Sequence, residues 1–147
     1  VIIDPIRREE FSAYSGGGAN LNNNKIRSSK QNNLEDSILS FSKSNKADEY
    51  DFKKSYKELS NQKLSMRETG CLSLDLSYVG AGRLDGTWAY DKNLMDIAAG
   101  TLIAQEGGAL VSNFNGDPKF IDGNNVIASA SKIYKSILKS VKPYFKG

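Results

Sequence analysis

Leu94-Met95-Asp96-Ile97-Ala98-Ala99-Gly100-Thr101-Leu102-Ile103-Ala104-Gln105-Glu106, closed by Gly107-Gly108, is the stretch that decides the fold. It reads as an alanine-rich helix stopped by two glycines. Ala109–Phe114 behind it reads as a strand, and Asp85–Tyr90 ahead of it alternates small and large residues as a strand does. Upstream, Gly70–Ala81 reads as a helix, with Leu72, Leu76 and Val79 on one face and Gly80 and Gly82 at its end. Leu64–Arg67 and Ser37–Phe41 read as short strands. Ala47–Leu59 between them is helix-compatible, anchored by Tyr50, Phe52, Tyr56 and Leu59. Downstream come a turn at Asn115-Gly116-Asp117-Pro118, a strand at Val126–Ala128 and a closing helix at Ser131–Phe145. Strands that alternate with helices after residue 34 indicate an α/β layer.

The first 34 residues differ. Val1–Ile3 and Glu10–Tyr14 read as strands joined through Arg7-Arg8-Glu9. Gly16-Gly17-Gly18 permits a tight reversal, Asn20–Asn24 reads as a turn, Lys25-Ile26-Arg27 as an edge piece and Ser28–Asn33 as a polar linker. Hairpins without a helix cannot bury their own face, so another sheet is expected to complete them. On this reading the chain divides into residues 1–34, the terminal strands of a domain completed by a segment before Val1, and residues 35–147, an α/β domain. In isolation the first part is expected to be disordered or to exchange strands between copies.

Composition narrows the chemistry. The length of 147 residues and 39% hydrophobic content suit one packed domain. A net charge of +3 is too small to argue for nucleic acid. Lys132, Lys135, Lys139, Lys142 and Lys146 alternate with Ile133, Ile137, Leu138 and Val141, as on the wet face of an amphipathic helix. Cys71 is the one cysteine, so no internal disulfide forms and a reducing, cytoplasmic compartment is favoured. No apolar run has the length of a membrane span. Histidine is absent, which excludes Ser-His-Asp and Cys-His chemistry and histidine-bound zinc within this chain. Carboxylates, hydroxyls, backbone amides and a hard metal are left to carry any reaction.

Asp96, at the start of the alanine-rich helix, can lean into a cleft and hold a hard cation, or it can cap its own helix. Gly70-Cys71-Leu72 opens the preceding helix, where free amides can receive an anion or the chain can simply reverse. Asp85-Gly86-Thr87 and Asp4-Pro5-Ile6 look like pieces of a metal motif, but each lacks a second carboxylate at the right spacing and reads as a turn. Cys71 has no evident base or cationic neighbour beside it apart from Arg67, so it reads as a small packing residue. A magnesium site needs converging carboxylates and substrate oxygens, and these residues do not assemble one.

The run Arg67-Glu68-Thr69-Gly70-Cys71-Leu72-Ser73-Leu74-Asp75-Leu76-Ser77-Tyr78-Val79-Gly80-Ala81-Gly82-Arg83-Leu84-Asp85-Gly86 resembles the inositol monophosphatase family, as do Leu94–Gly100 and Glu106-Gly107-Gly108. The family pattern is Arg-x-x-Gly-Ser-Ala-Ala-x-(Asp/Asn), then Trp-Asp-(Ile/Val)-Ala-Ala-Gly. The opening, Asp4-Pro5 to Ser28, is similar to its strand pair, and the likeness is weakest from Lys30 to Leu64. The resemblance implies a layered αβαβα fold, of which this chain would be the C-terminal half. It implies hydrolysis of a small phosphorylated metabolite with Mg²⁺, in which metal-bound water attacks phosphorus. It also implies a cytoplasmic homodimer as the full-length protein, with no membrane or nucleic-acid partner. Asp96 matches the family's C-terminal metal ligand, and Gly70, Cys71 and Leu72 match the segment that contacts substrate. Met95 stands where the family has Trp, Leu72 is larger than the usual Ala, and Ala89 stands where a Glu meets an inositol hydroxyl. That last departure admits a different sugar, nucleotide or fructose bisphosphate substrate. The family's Glu-Glu and Asp-Pro-(Ile/Leu)-Asp-Gly-Thr segments fall upstream of Val1, so the chain alone is expected to be inactive. The competing expectation is a non-catalytic module for dimerisation or protein binding.

Overall fold

In a computed structural model that describes residues 1–43, 49–122 and 124–145, the chain forms two sheets with a helix pair between them. The first sheet is an antiparallel meander of β1 (Ile2–Asp4), β2 (Glu9–Tyr14), β3 (Gly18–Leu21) and β4 (Asn24–Lys25). β3 is a strand in what reads as turn sequence. Gly18-Ala19-Asn20-Leu21 has poor intrinsic strand preference, and pairing with β2 from Tyr14↔Gly18 to Phe11↔Leu21 overrides it. Asn22 and Asn23 both have positive φ, as a two-residue hairpin between β3 and β4 requires.

The second sheet has the order β6-β5-β7-β9-β8, with β5 (Ile38–Lys43), β6 (Ser65–Arg67), β7 (Gly86–Tyr90), β8 (Leu110–Ser112) and β9 (Val126–Ser129). β5 runs parallel to β6 and β7, whereas β9 is antiparallel to β7 and β8. Alternation along β7 sorts residues by size. Trp88 joins the core shared with α1 (Glu49–Ser60) and α4 (Tyr134–Val141), through Phe52, Leu59, Ile133 and Ile137. Ala89 faces the other way, into a core shared with α2 (Leu72–Gly80) and α3 (Leu94–Glu106). The strand of small residues on that side suits a helix pair drawn close together. A Cβ on Gly100 would meet Leu76 Cβ at 2.7 Å, and one on Gly80 would meet the Ile103 carbonyl at 2.8 Å.

The opposite side of α2 and α3 receives the first sheet. Phe11 and Ala19 are fully buried against Ile103, with Leu74 and Tyr78 of α2 packed beside them. The meander therefore buries its face on helices, where the sequence reading expected another sheet. The result is a sheet–helix–sheet–helix stack. The closing helix is shorter than the sequence reading: α4 ends at Val141, and Lys142–Tyr144 continue as a 3₁₀ turn because Pro143 lacks the amide to prolong it. Lys132, Lys135, Lys139 and Lys142 are exposed, as a wet face should be. Lys146 and the Ala47 start of the first helix lie outside the described residues.

Candidate functional site

β6 leads into α2 and β7 leads into α3, and both strands run parallel to β5. The two helix N-termini therefore sit at the carboxyl ends of parallel strands, where open α/β sheets place their ligand crevices. The Ser73 hydroxyl donates to the Asp96 carbonyl at 3.1 Å, which ties the two first turns together.

The start of α2 depends on Gly70, whose φ of +82° reverses the chain after β6 at no steric cost. Cys71 is the extended N-cap residue and makes no side-chain cap. Thr69 Oγ1 takes that place: it accepts the Cys71 amide at 3.3 Å and donates to Asp75 Oδ1 at 2.6 Å. Gly70 and Cys71 are exposed. The expectation that Cys71 is a packing residue is thus corrected, because its N-cap position holds the side chain outside the helix pair.

The start of α3 is a capping box. Asn93 Oδ1 accepts the Asp96 amide at 3.2 Å, and Asp96 Oδ2 accepts the Asn93 amide at 3.3 Å. Asp96 is half-buried, and its Oδ1 has no hydrogen-bond partner among the described residues. This carboxylate therefore caps its own helix through one oxygen and keeps the other unpartnered among the described residues. Met95 beside it is 88% exposed.

The other two positions matched to the family's substrate segment lie deeper. Leu72 is 6% exposed and Ala89 has no exposed surface, and both belong to the α2–α3 core. Their side chains pack within the fold, whereas Gly70 and Cys71 are exposed and Asp96 is half-buried. Asp4 and Asp85 are turn residues, as read. Asp4 Oδ1 accepts the Ile6 and Arg7 amides at 3.0 Å each, and Asp85 binds the Ser29 hydroxyl at 2.6 Å and the Ile38 amide at 2.8 Å.

Asp75 is the residue that sequence reading passed over. It is fully buried one turn behind Cys71, and its Oδ2 has no partner. Burial raises its pKa above the ordinary carboxylate value, against the lowering effect of the Thr69 hydrogen bond and the nearby Ser40 hydroxyl. The Ser40 proton goes to Thr87 Oγ1 at 2.8 Å. The signal was present: Asp75 shares the apolar face of Leu72, Leu76 and Val79.

Among the described residues no three acidic or cysteine side chains converge as a metal site. One free carboxylate oxygen does not hold Mg²⁺, so these residues do not by themselves fit the ion. No helix of the described residues is long and apolar enough to cross a membrane.

Residues 1–144 match the model of a family described as the inositol monophosphatase family. Among curated proteins, the chain is similar to "Nus factor SuhB" of Pseudomonas aeruginosa, at 37% identity over 98% of this chain and 55% of that protein. It is also similar to the protein of that name from Escherichia coli K12, at 35% identity over 97% of this chain and 54% of that one. Among solved structures, the extragenic suppressor protein suhB of Bartonella henselae superposes with a TM-score of 0.91 at 29% identity, covering 95% of this chain and 54% of that one. The Thermotoga maritima IMPase superposes with a TM-score of 0.86 at 30% identity, covering 97% and 54%. The chain spans about half the length of the curated relatives it matches.

Proposed function

This chain belongs to the inositol monophosphatase family, and from that premise we propose that it is the C-terminal half of a Mg²⁺-dependent phosphomonoesterase acting on a small sugar or inositol phosphate. The observation that carries the reading is the pairing of the α2 and α3 first turns at the carboxyl ends of parallel strands, joined by Ser73 and Asp96. Positive helix ends favour a phosphate there, through backbone amides that have no partner within the first turn. Cys71 and Gly70 border that anion position. Asp96 would hold a magnesium ion only together with ligands from the rest of the protein, and the ion would supply activation of water and neutralisation of phosphate charge. Residues 1–34 are the closing strands of the domain that would supply them, and the whole protein acts as a cytoplasmic homodimer. Ala89, buried and without a carboxylate, offers nothing to select inositol, which favours another small phosphate ester, including a nucleotide or fructose bisphosphate.

The test has two arms. The purified 147-residue chain with Mg²⁺ is expected to release no phosphate above blank from inositol monophosphate, fructose bisphosphate or a nucleoside monophosphate. The chain joined to the coding sequence upstream of Val1 is expected to hydrolyse at least one of them, and Asp96→Asn to lower that rate by about a hundredfold, the scale of removing one charge-stabilising contact. Turnover by the 147-residue chain alone, or an unaffected Asp96→Asn, sinks the reading.

A second reading is favoured by the printed name of the curated relatives, Nus factor. On it the chain is a protein-binding module whose crevice is idle. An in-frame Asp-Pro-Ile-Asp-Gly-Thr upstream of Val1 favours the enzyme, and a start codon close to Val1 favours the module.

A further inference from the structure

At the far end of α3 from Asp96, about 15 Å along the helix axis, lies a concave pocket of about 580 Å³. Arg27, Lys30 and Lys132 line it together with Ser28, Ser131 and Gly108. No acidic residue among the described ones lines it, and none of the three cations has an ion-pair partner among them. The two carboxylates of adjoining structure are turned to other work. Asp85 is held by Ser29 and Ile38, and Glu106 accepts the Gly16 amide at 2.7 Å and the Gly18 amide at 2.8 Å.

The pocket is built by backbone docking. The Ser28 amide donates to the Gly107 carbonyl at 2.8 Å, which fixes residues 27–30 against the end of α3. Gly108, at φ +95°, turns the chain away and leaves room beside Ser28 Oγ. A helix C-terminus carries about half a negative charge, which on its own would repel an anion. Here the Ile103, Ala104, Gln105 and Gly107 carbonyls all accept amides, and three full positive charges outweigh what remains. Cations with free hydroxyls and no acid recognise phosphate oxygens. The volume is that of a small-molecule cleft. The α4 lysines continue from Lys132 along the surface, but only Lys132 lines the hollow.

We propose that this pocket binds a small, multiply charged phosphate compound, at a site separate from the α2–α3 helix starts. It does not depend on the phosphatase reading, since neither Gly70 nor Asp96 takes part. The test is a titration of the ¹⁵N-labelled 147-residue chain with pyrophosphate, without divalent metal, in about 0.1 M salt, where charges are screened beyond about 10 Å. Saturable amide shifts are expected at Ser28, Lys30, Gly108, Ser131 and Lys132. Lys30→Gln with Lys132→Gln is expected to weaken binding by about tenfold or more, as for lost charge-assisted contacts. Lys135→Gln, an equal charge removed per site from the outer face of α4, is expected to leave the affinity within about twofold. Shifts gathered at Gly70–Ser73 instead, equal weakening by Lys135→Gln, or no saturation would overturn the proposal. So would a single-stranded oligonucleotide that binds these residues more tightly than pyrophosphate.

Discussion

Asp75 stands on the inner side of α2 with no exposed surface, and Thr69 donates to its Oδ1 while its Oδ2 has no partner. Its raised pKa follows from burial, which penalises the charged form. The folded chain therefore holds the Asp75 proton to higher pH than the unfolded chain does. Stability contributed by this group is complete below the ordinary carboxylate pKa and declines as pH rises through the folded value. Asp75→Asn removes that decline. Urea midpoints of the two proteins between about pH 4 and 8 are expected to diverge as pH rises, with the Asn variant the more resistant. A constant difference would refute the assignment. Asp75→Ala strips the acceptor from the Thr69 hydroxyl and is expected to cost about 1–3 kcal/mol.

Gly100 governs how closely the two site-bearing helices meet. A methyl there would sit 2.7 Å and 2.9 Å from Leu76 atoms and 3.2 Å from the Ser73 carbonyl. Overpacking of this kind costs about 1–3 kcal/mol, and better helix propensity returns up to about 1. Gly100→Ala is expected to lose about 1–2 kcal/mol in urea denaturation, with the Ser73–Asp96 bond the first contact strained. The bounds of α3 were legible in sequence because an alanine-rich run is closed by two glycines, whereas its capping asparagine was not read. β3 was not, because its glycine, alanine and asparagine form a strand only when β2 is alongside. Asp96 was legible by its place at a helix start. Leu72 and Ala89 match substrate-contacting positions by motif, yet packing encloses both: a motif gives order along the chain, and burial depends on which elements arrive from elsewhere.

Across the whole molecule, the first sheet is fastened to the rest at two places. Arg83 forms a two-point pair with Glu9, at 2.8 and 2.7 Å, and lies over the Phe11 and Tyr78 rings. Glu106 of α3 receives the Gly16 and Gly18 amides, which hold its pKa below the ordinary value. That fastening is present above the unfolded carboxylate pKa and is lost as pH falls through the lowered one. Glu106→Gln is expected to show a shallower loss of stability on acidification, read as urea midpoints below about pH 5. An unchanged acid profile would show that the carboxylate is not the fastener. The α/β layer was legible from alternating elements, whereas the seating of the meander on α2 and α3 was not, since Phe11 and Ile103 are brought together only by the finished stack.

The order of strands in the second sheet has a consequence for synthesis. β9 lies between β7 and β8, yet it is the last of the three to leave the ribosome. Until residue 129 has emerged, one edge of β7 stays open and β8 has no neighbour. The strands made up to Ser112 must therefore wait, half assembled, for residues 126–129 to zip the layer shut.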